Sequence, residues 1–387
     1  MMVQAVRAGV SIRTAAKHFR VSVGQVHFWV ERCHGQRLHR CDFSDRKRGP
    51  RRPWNRSAPE LEERVLSVRR ELKVDSVLGE YGAPAIRQAL LQDRTPAPPS
   101  VATISRILRR RGAVDGVGRH RRPPPPRGWY LPPVARGQAE LDSFDVVEDL
   151  KVKDGPWFSV LTAVALLGGQ VQAWPREQLG AKHVVECLLA HWQQLGLCAF
   201  AQFDNDTLFQ GAHQFADTMG RVSRLCLQLG VIPVFAPPRE PGFQNAIEGF
   251  NALWQAKVWQ RFAFPDLPAV RTQSDLYISA HRRRNARRSE AAPPRAAVPP
   301  SFQLDLRRPP QGTLIYLRRT DANGQIALLG HQWLVDAHWV HRLVRCEVRL
   351  DESCIQCFAL RRREPAEQPL LATIPYQFPA KRFQGEL

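Results

Sequence analysis

Between residues 141 and 235 five short strand-like runs, Leu141 to Leu150, Trp157 to Val164, Val171 to Trp174, Ala199 to Phe203 and Ile232 to Phe235, are separated by turn residues and helical periodicity. No other feature constrains the fold as much, because strands interleaved with helices pair in parallel and bury both faces of their sheet. Helical patterns are expected at His183 to Leu195, Ala216 to Leu229 and Gln244 to Gln260. Three strands in meander followed by alternating helices and strands predict an α/β domain over 137–300. The uncharged stretch Pro156 to Pro175 contains Gly168 and Gly169, so it reads as two strands and a turn, not a membrane span.

The residues before this domain read as helical. Val3 to Ala8 and segments starting after Ser11 and Ser22 have helix-turn-helix spacing, with Ser11 and Ser22 as N-caps. Ile12, Ala15, Ala16 and Phe19 are expected to pack on Val23, Val26 and Trp29 or Val30, leaving Gln25 and His27 on an open face of the third helix. This first module spans 1–40. A second, winged-helix-like module over 57–112 would have helices from Ser57 to Lys73, Pro84 to Leu91, and Ser100 to Arg110. Basic, proline-rich segments flank it: Arg46, Lys47, Arg48, Arg51 and Arg52 before, and Arg109, Arg110, Arg111, Arg119, Arg121 and Arg122 after, the last three in a linker over 113–136.

After a further Arg-, Ala- and Pro-rich stretch from His281 to Pro300, alternation at Leu314, Tyr316, Ile326, Leu328, Trp333, Val335, Val344, Cys346 and Val348 predicts a small β-barrel over 310–380. The fold class expected is therefore multidomain: N-terminal all-α helix-turn-helix modules, a central α/β core and a small C-terminal β-barrel. Eight cysteines over 387 residues do not make a disulfide framework, and Cys354 and Cys357 lack a second pair at zinc-site spacing. With no leader or span legible, a cytoplasmic location is expected and no membrane partner. Lys and Arg total 56 against 36 Asp and Glu, a net +20, which attracts polyanions; double-stranded DNA is the expected partner, with the Arg runs on phosphates and Gln25 and His27 near bases.

Three acidic positions stand where such a sheet brings carboxylates together. Asp145 lies in the first strand, Asp204 follows the fourth, and Glu248 lies early in the helix from Gln244. Three hard oxygen ligands at one sheet edge suit two Mg²⁺ ions, with Mn²⁺ as a substitute. Asp142 and Asp149 compete for the first position. Asp142 shares a strand face with Phe144 and Val146, and Asp145 shares one with Ser143 and Val147, so parity separates the two without choosing.

Glu140 to Asp145, Gln202 to Phe209, and Pro237 to Pro241 leading into Gln244-Asn-Ala-Ile-Glu248 resemble the catalytic core shared by retroviral integrases and bacterial insertion-sequence transposases. Arg282 to Arg288 resembles the family's post-core segment. This resemblance selects Asp145, with Asp204 and Glu248, as the catalytic and metal-binding set of a ribonuclease-H-like core. It implies a DNA transposase of prokaryotic, nucleoid-associated habit, in which the N-terminal modules bind transposon ends and the core cleaves 3′ ends and joins them to target DNA as a homo-oligomer. The alternative is an inactive, transposase-derived DNA-binding regulator. Asp206 and Ala246 stand where the family commonly has glycine, and the wide Asp204 to Glu248 interval implies an extra loop around Gly211 to Met219. Asp206 and Glu240 are expected to be structural, and Asp142→Asn to retain activity.

Overall fold

The computed structural model describes residues 1–44, 57–114, 127–212, 215–240 and 242–380. Arg46, Lys47, Arg48, Arg51, Arg52, Arg119, Arg121 and Arg122 lie outside the described residues. The chain divides into two compact units, residues 1–63 and 64–387.

In the first unit, α1 (Met2–Arg7), α2 (Ile12–Phe19) and α3 (Val23–Arg32) form because two serines end the preceding turns. Ser11 Oγ accepts from the Thr14 N–H and Ser22 Oγ from the Gln25 N–H, each at 3.1 Å. Ala15, Ala16 and Val26 are buried among Val6, Ile12, Phe19 and Val30. Val23, expected inside, is 49% exposed, because the first residue of α3 precedes the buried stripe that Val26 and Val30 define. Gln25 and His27 are exposed on either side of Val26.

α4 (Pro59–Asp75) begins in the first unit and continues into the second, starting at Pro59 and not directly after Ser57. With α5 (Ala83–Gln92) and α6 (Val101–Arg110) it encloses Val65, Val68, Ile86, Leu90, Ile104 and Ile107. Ser100 caps α6, whose basic end, Arg109 to Arg111, is exposed.

A short helix, α7 (Pro132–Ala135), leads into a nine-stranded sheet. Its strands and the elements between them are β1 (Leu141–Lys151), β2 (Trp157–Ala165), β3 (Val171–Arg176), α8 (Ala181–Leu195), β4 (Phe200–Phe203), α9 (Thr207–Gln210), α10 (Arg221–Gln228), β5 (Ile232–Phe235), α11 (Asn245–Trp254), α12 (Leu267–Arg284), α13 (Ala286–Glu290), β6 (Thr313–Arg319), β7 (Gln325–Leu328), β8 (His331–Leu334), β9 (Leu343–Arg349), β10 (Cys354–Ala359) and β11 (Leu370–Pro375). The strand order is β11-β10-β9-β6-β5-β4-β1-β2-β3, while β7 and β8 form a separate hairpin. β1 pairs antiparallel with β2 and parallel with β4, and β4 with β5 is also parallel. α8 and α10 cover one face, against Phe144, Leu161, Ala201 and Phe203; α11 and α12 cover Val147, Val160 and Val164 on the other. No helix among the described residues is long and apolar enough to cross a membrane.

Two expectations are corrected. The C-terminal strands do not form a separate small barrel: β6 pairs parallel with β5 through Val234–Ile315 and Phe235–Tyr316, and β9, β10 and β11 extend the same sheet. The alternating residues are buried as expected, but Leu314, Tyr316, Val344, Cys346 and Val348 face the cluster under α8 and α10. An exposed β5 would leave a row of unpaired backbone groups beside an apolar face, and β6 covers it. Second, α10 starts at Arg221, not near Ala216. Gly211, at φ +90°, lies so close to Gly220 that a Cβ on either would meet the other's backbone, and the Gly220 N–H bonds to Gln210 O at 3.1 Å. These contacts hold Gly211 and Gly220 together just before α10.

A chain ended after Pro310 keeps every candidate carboxylate but strips β6 and its successors from the core. It is expected to aggregate or to lose cooperative thermal unfolding. A soluble truncation with the parent's melting curve would make the added strands accessory.

Candidate active site

The site begins with strand register. Ser143 lies opposite Gln202 on the parallel pair β1–β4, and the Ser143 hydroxyl donates to Gln202 Oε1 at 3.0 Å. Two residues further along each strand stand Asp145 and Asp204, which the two-residue period keeps on that same face, at the carboxyl end of β4. α11 packs on this face through Ile247, Phe250 and Trp254 and carries Glu248 in its first turn. One turn on, Asn251 Nδ2 donates to Asp145 Oδ2 at 2.7 Å. Thr162, opposite Asp145 on β2, places its hydroxyl 2.7 Å from Asn251 Oδ1 and 3.1 Å from the Asp145 carbonyl. Asn251 was not singled out from sequence, although its i+3 spacing from Glu248 sets both on one helix face.

Burial raises the Asp145 carboxyl, and the negative charges of Asp204 and Glu248 raise it further, to about 6, against its hydrogen bonds from Val146 and Asn251. Burial also raises Asp204, whose Oδ1 accepts from the Asp206 N–H at 3.0 Å. The structure thus brings Asp145 within electrostatic reach of both other acids. Among the described residues no group of three or more His, Cys, Asp or Glu side chains is arranged to hold a metal ion. The donor chemistry nevertheless suits a hard divalent cation, since carboxylates that repel one another gain most from a shared positive charge. Asp204, Asn205 and Asp206 open onto a cleft of about 560 Å³ whose far wall is Ala236 to Glu240 and Gln244.

The two rivals for the first aspartate have other environments. Asp142 is completely buried on the opposite face. Arg295 Nη1 donates to its Oδ2 at 2.9 Å and Nη2 to its Oδ1; Trp192 Nε1 donates at 3.2 Å, and His191 Nε2 stands 3.4 Å away. Burial alone would raise this carboxyl, but His191 and Arg295 hold it well below the ordinary carboxylate range. Arg295 comes from the stretch read only as Arg-, Ala- and Pro-rich, and no local pattern marks it as Asp142's partner. Asp149 is exposed, at φ +57° in a bulge between Val147 and Leu150.

Asp206 stands where the family favours glycine, but at φ −64° it needs no left-handed conformation, and its carboxylate caps α9 by accepting from the Leu208 N–H at 2.7 Å. Glu240 is ion-paired with Arg319. Cys354 and Cys357 lie on opposite faces of β10: Cys357 is buried against Cys346, their sulfurs 3.8 Å apart, while Cys354 is half-buried. Gln25 and His27 belong to the first unit, on α3.

Metal-free Asp145 titrates above its unfolded value of 3.8, so protonation favours the folded state, and stability falls as pH rises from about 4 through about 6. Asp145→Asn is therefore expected to stabilise the metal-free protein at pH 7.5, by up to roughly 3 kcal/mol, with no gain below pH 4. Thermal melts across pH, with and without EDTA, read this; equal melting of both proteins at every pH would refute it. Asp142→Asn, expected from sequence to keep activity, leaves Arg295 facing a neutral partner, at a cost in stability of about 3 kcal/mol or more that the same melts would read.

No family model and no curated protein sequence matches the chain. Its fold is similar to solved structures that include the catalytic core domain of BIV integrase, at 20% identity and TM-score 0.28, over 36% of this chain and 81% of that one. Others are the simian T-cell lymphotropic virus intasome in complex with PP2A regulatory subunit B56 gamma, at 12% identity and TM-score 0.34 over 67% and 87% of the chains, and the trimeric form of the HTLV-2 integrase catalytic core domain in complex with magnesium, at 10% identity and TM-score 0.27 over 36% and 81%. The structural neighbours of this mixed α/β sheet are thus retroviral integrase cores.

Proposed function

We propose that the chain is a DNA transposase that binds the ends of its element, cleaves the 3′ ends and joins them to target DNA, with Asp145, Asp204 and Glu248 as the catalytic carboxylates. The observation that carries this reading is geometric. In its support, Asp145 and Asp204 each follow the parallel Ser143–Gln202 pair by two residues, Asn251 of α11 donates to Asp145, and the charges of Asp204 and Glu248 act on the Asp145 carboxyl. Two Mg²⁺ ions, or Mn²⁺, held by these three residues would supply Lewis-acid stabilisation of charge at the attacking and leaving oxygens of an in-line phosphoryl displacement. Asn251 and Thr162 lock the Asp145 carboxylate in one orientation, so little reorganisation is needed when DNA arrives. Asp206 braces the turn that presents Asp204.

DNA engagement falls to the basic helical modules. Gln25 and His27 on the exposed face of α3 are assigned to base edges, and Arg109, Arg110 and Arg111, with Arg46, Lys47, Arg48, Arg51, Arg52, Arg119, Arg121 and Arg122, to phosphates. The net charge of +20 suits this division. Joining two ends calls for a homo-oligomer on DNA.

Asp145→Asn, Asp204→Asn and Glu248→Gln are each expected to reduce Mg²⁺-dependent cleavage and strand transfer by at least about a thousandfold while leaving end binding intact. Gel-resolved cleavage of a duplex bearing the terminal sequence that flanks the gene measures this. A parent protein that binds the end but never cuts it favours the inactive regulator instead; cleavage surviving in all three variants removes the metal site.

Binding of residues 1–112 to that duplex should fall steeply with salt, roughly as the 0.9 power of concentration for each phosphate contacted. A salt-independent affinity, or one equal for random DNA, would count against end recognition by these modules.

A further inference from the structure

The helical module of α4, α5 and α6 was expected as a separate bead before a linker, yet its first interhelical loop is fastened to the helix that carries Glu248. α11 continues without a break into a π-helical turn, Gln255–Trp259. From that turn and just beyond it, two cations reach the end of α4. Arg261 Nη1 donates to Ser76 O at 2.6 Å and Nη2 to Val74 O at 2.9 Å, and Lys257 Nζ donates to Gly79 O at 3.2 Å. These carbonyls lie at and just past the C-terminus of α4, where helix carbonyls lack partners and the helix dipole favours positive charge.

The loop is shaped for the contact. Gly79 sits at φ +60°, and a Cβ there would come within 2.8 Å of Lys257 Cδ. Leu78 packs against the cluster of Ile247, Phe250, Trp254 and Val258 under α11. Glu80 pairs with Arg284 at the end of α12. Ser76 closes the loop on itself, its carbonyl accepting from the Gly79 N–H and its hydroxyl from the Glu80 N–H. Three backbone carbonyls, one apolar side chain and one ion pair thus converge on a five-residue surface, Ser76 to Glu80 with Val74 just before it.

We propose that Lys257 and Arg261 are positioning residues that set where the chain cuts. By fixing α4 to the Glu248 helix they hold the module containing α6 at one distance from the carboxylates, so that DNA bound along the module presents a single phosphodiester to Asp145, Asp204 and Glu248. The role rests on the function proposed above. It goes further by assigning cleavage-site choice to an intramolecular latch and not to contacts with the reacting strand. Since a displacement of about an ångström at a reacting centre lowers rates by up to about a hundredfold, a loosened latch is felt mainly in the chemical step.

The test uses the full chain, a duplex bearing the terminal sequence flanking its gene, and Mg²⁺, with product lengths read to the nucleotide. Lys257→Ala with Arg261→Ala is expected to bind the duplex as the parent does, to cleave at least about tenfold more slowly, and to spread its cuts over neighbouring phosphodiesters. Amides of residues 74–80 should lose hydrogen-exchange protection in the same protein. Arg284→Glu should broaden the cut distribution mildly, and adding Glu80→Arg should sharpen it again, a rescue that loss of folding does not mimic. If the double variant does not fold, this charge swap decides alone. One sharp cut at the parental rate despite lost protection overturns the proposal, as does a fall in affinity matching the fall in cleavage. A parent that makes no Mg²⁺-dependent cut refutes the transposase reading and this role with it; exchange protection lost in the variant would then mark the latch as a purely structural contact.

Discussion

The parallel pairing of β1 with β4 is the constraint on which the rest of the structure depends. Because side chains alternate across a strand, the register that places Ser143 opposite Gln202 also sends Asp145 and Asp204 to one face and Asp142 and Phe144 to the other. A slip of one residue would bury Asp145 under α8 and turn Asp142 toward α11. Register is held by Phe144 and Phe203 stacking under α8 and by Val147 and Val160 packing under α11, so neither face tolerates the other's residues.

Within this one strand two aspartates three residues apart are treated in opposite ways. Asp142 is neutralised by Arg295 and surrounded by Trp192 and His191, which makes it part of the scaffold. Asp145 is half-buried, but its nearest charges are of its own sign and its one side-chain donor is a neutral amide. Burial of a carboxylate beside other carboxylates destabilises the fold and persists only where surrounding structure holds it. The energy that holds it comes from the apolar clusters on both faces and from the strands added beyond β5.

Those added strands show how local pattern and global placement differ. Leu314, Tyr316, Val344, Cys346 and Val348 alternate as half-buried strand residues should, and they are buried. Alternation states that a strand has an inner face; it does not state which core that face joins. β5 offered an open parallel edge, and β6 pairs there with its inner face in the cluster under α8 and α10.

The helix starts at Ser11, Ser22 and Ser100 and the strand runs of β1 to β5 were legible in the sequence because capping and periodicity act over a few neighbouring residues. Asp145, Asp204 and Glu248 were picked out by resemblance, since parity alone left Asp142 as a rival. Tertiary structure decided what depends on residues far apart in the chain: Arg295 reaching Asp142, Asn251 reaching Asp145, Arg261 and Lys257 reaching the end of α4, and β6 pairing with β5. A sequence records each partner, but hydrogen bonds and ion pairs between remote segments follow from where the packed sheet and helices bring those segments together, and that placement is set by the burial of the whole chain.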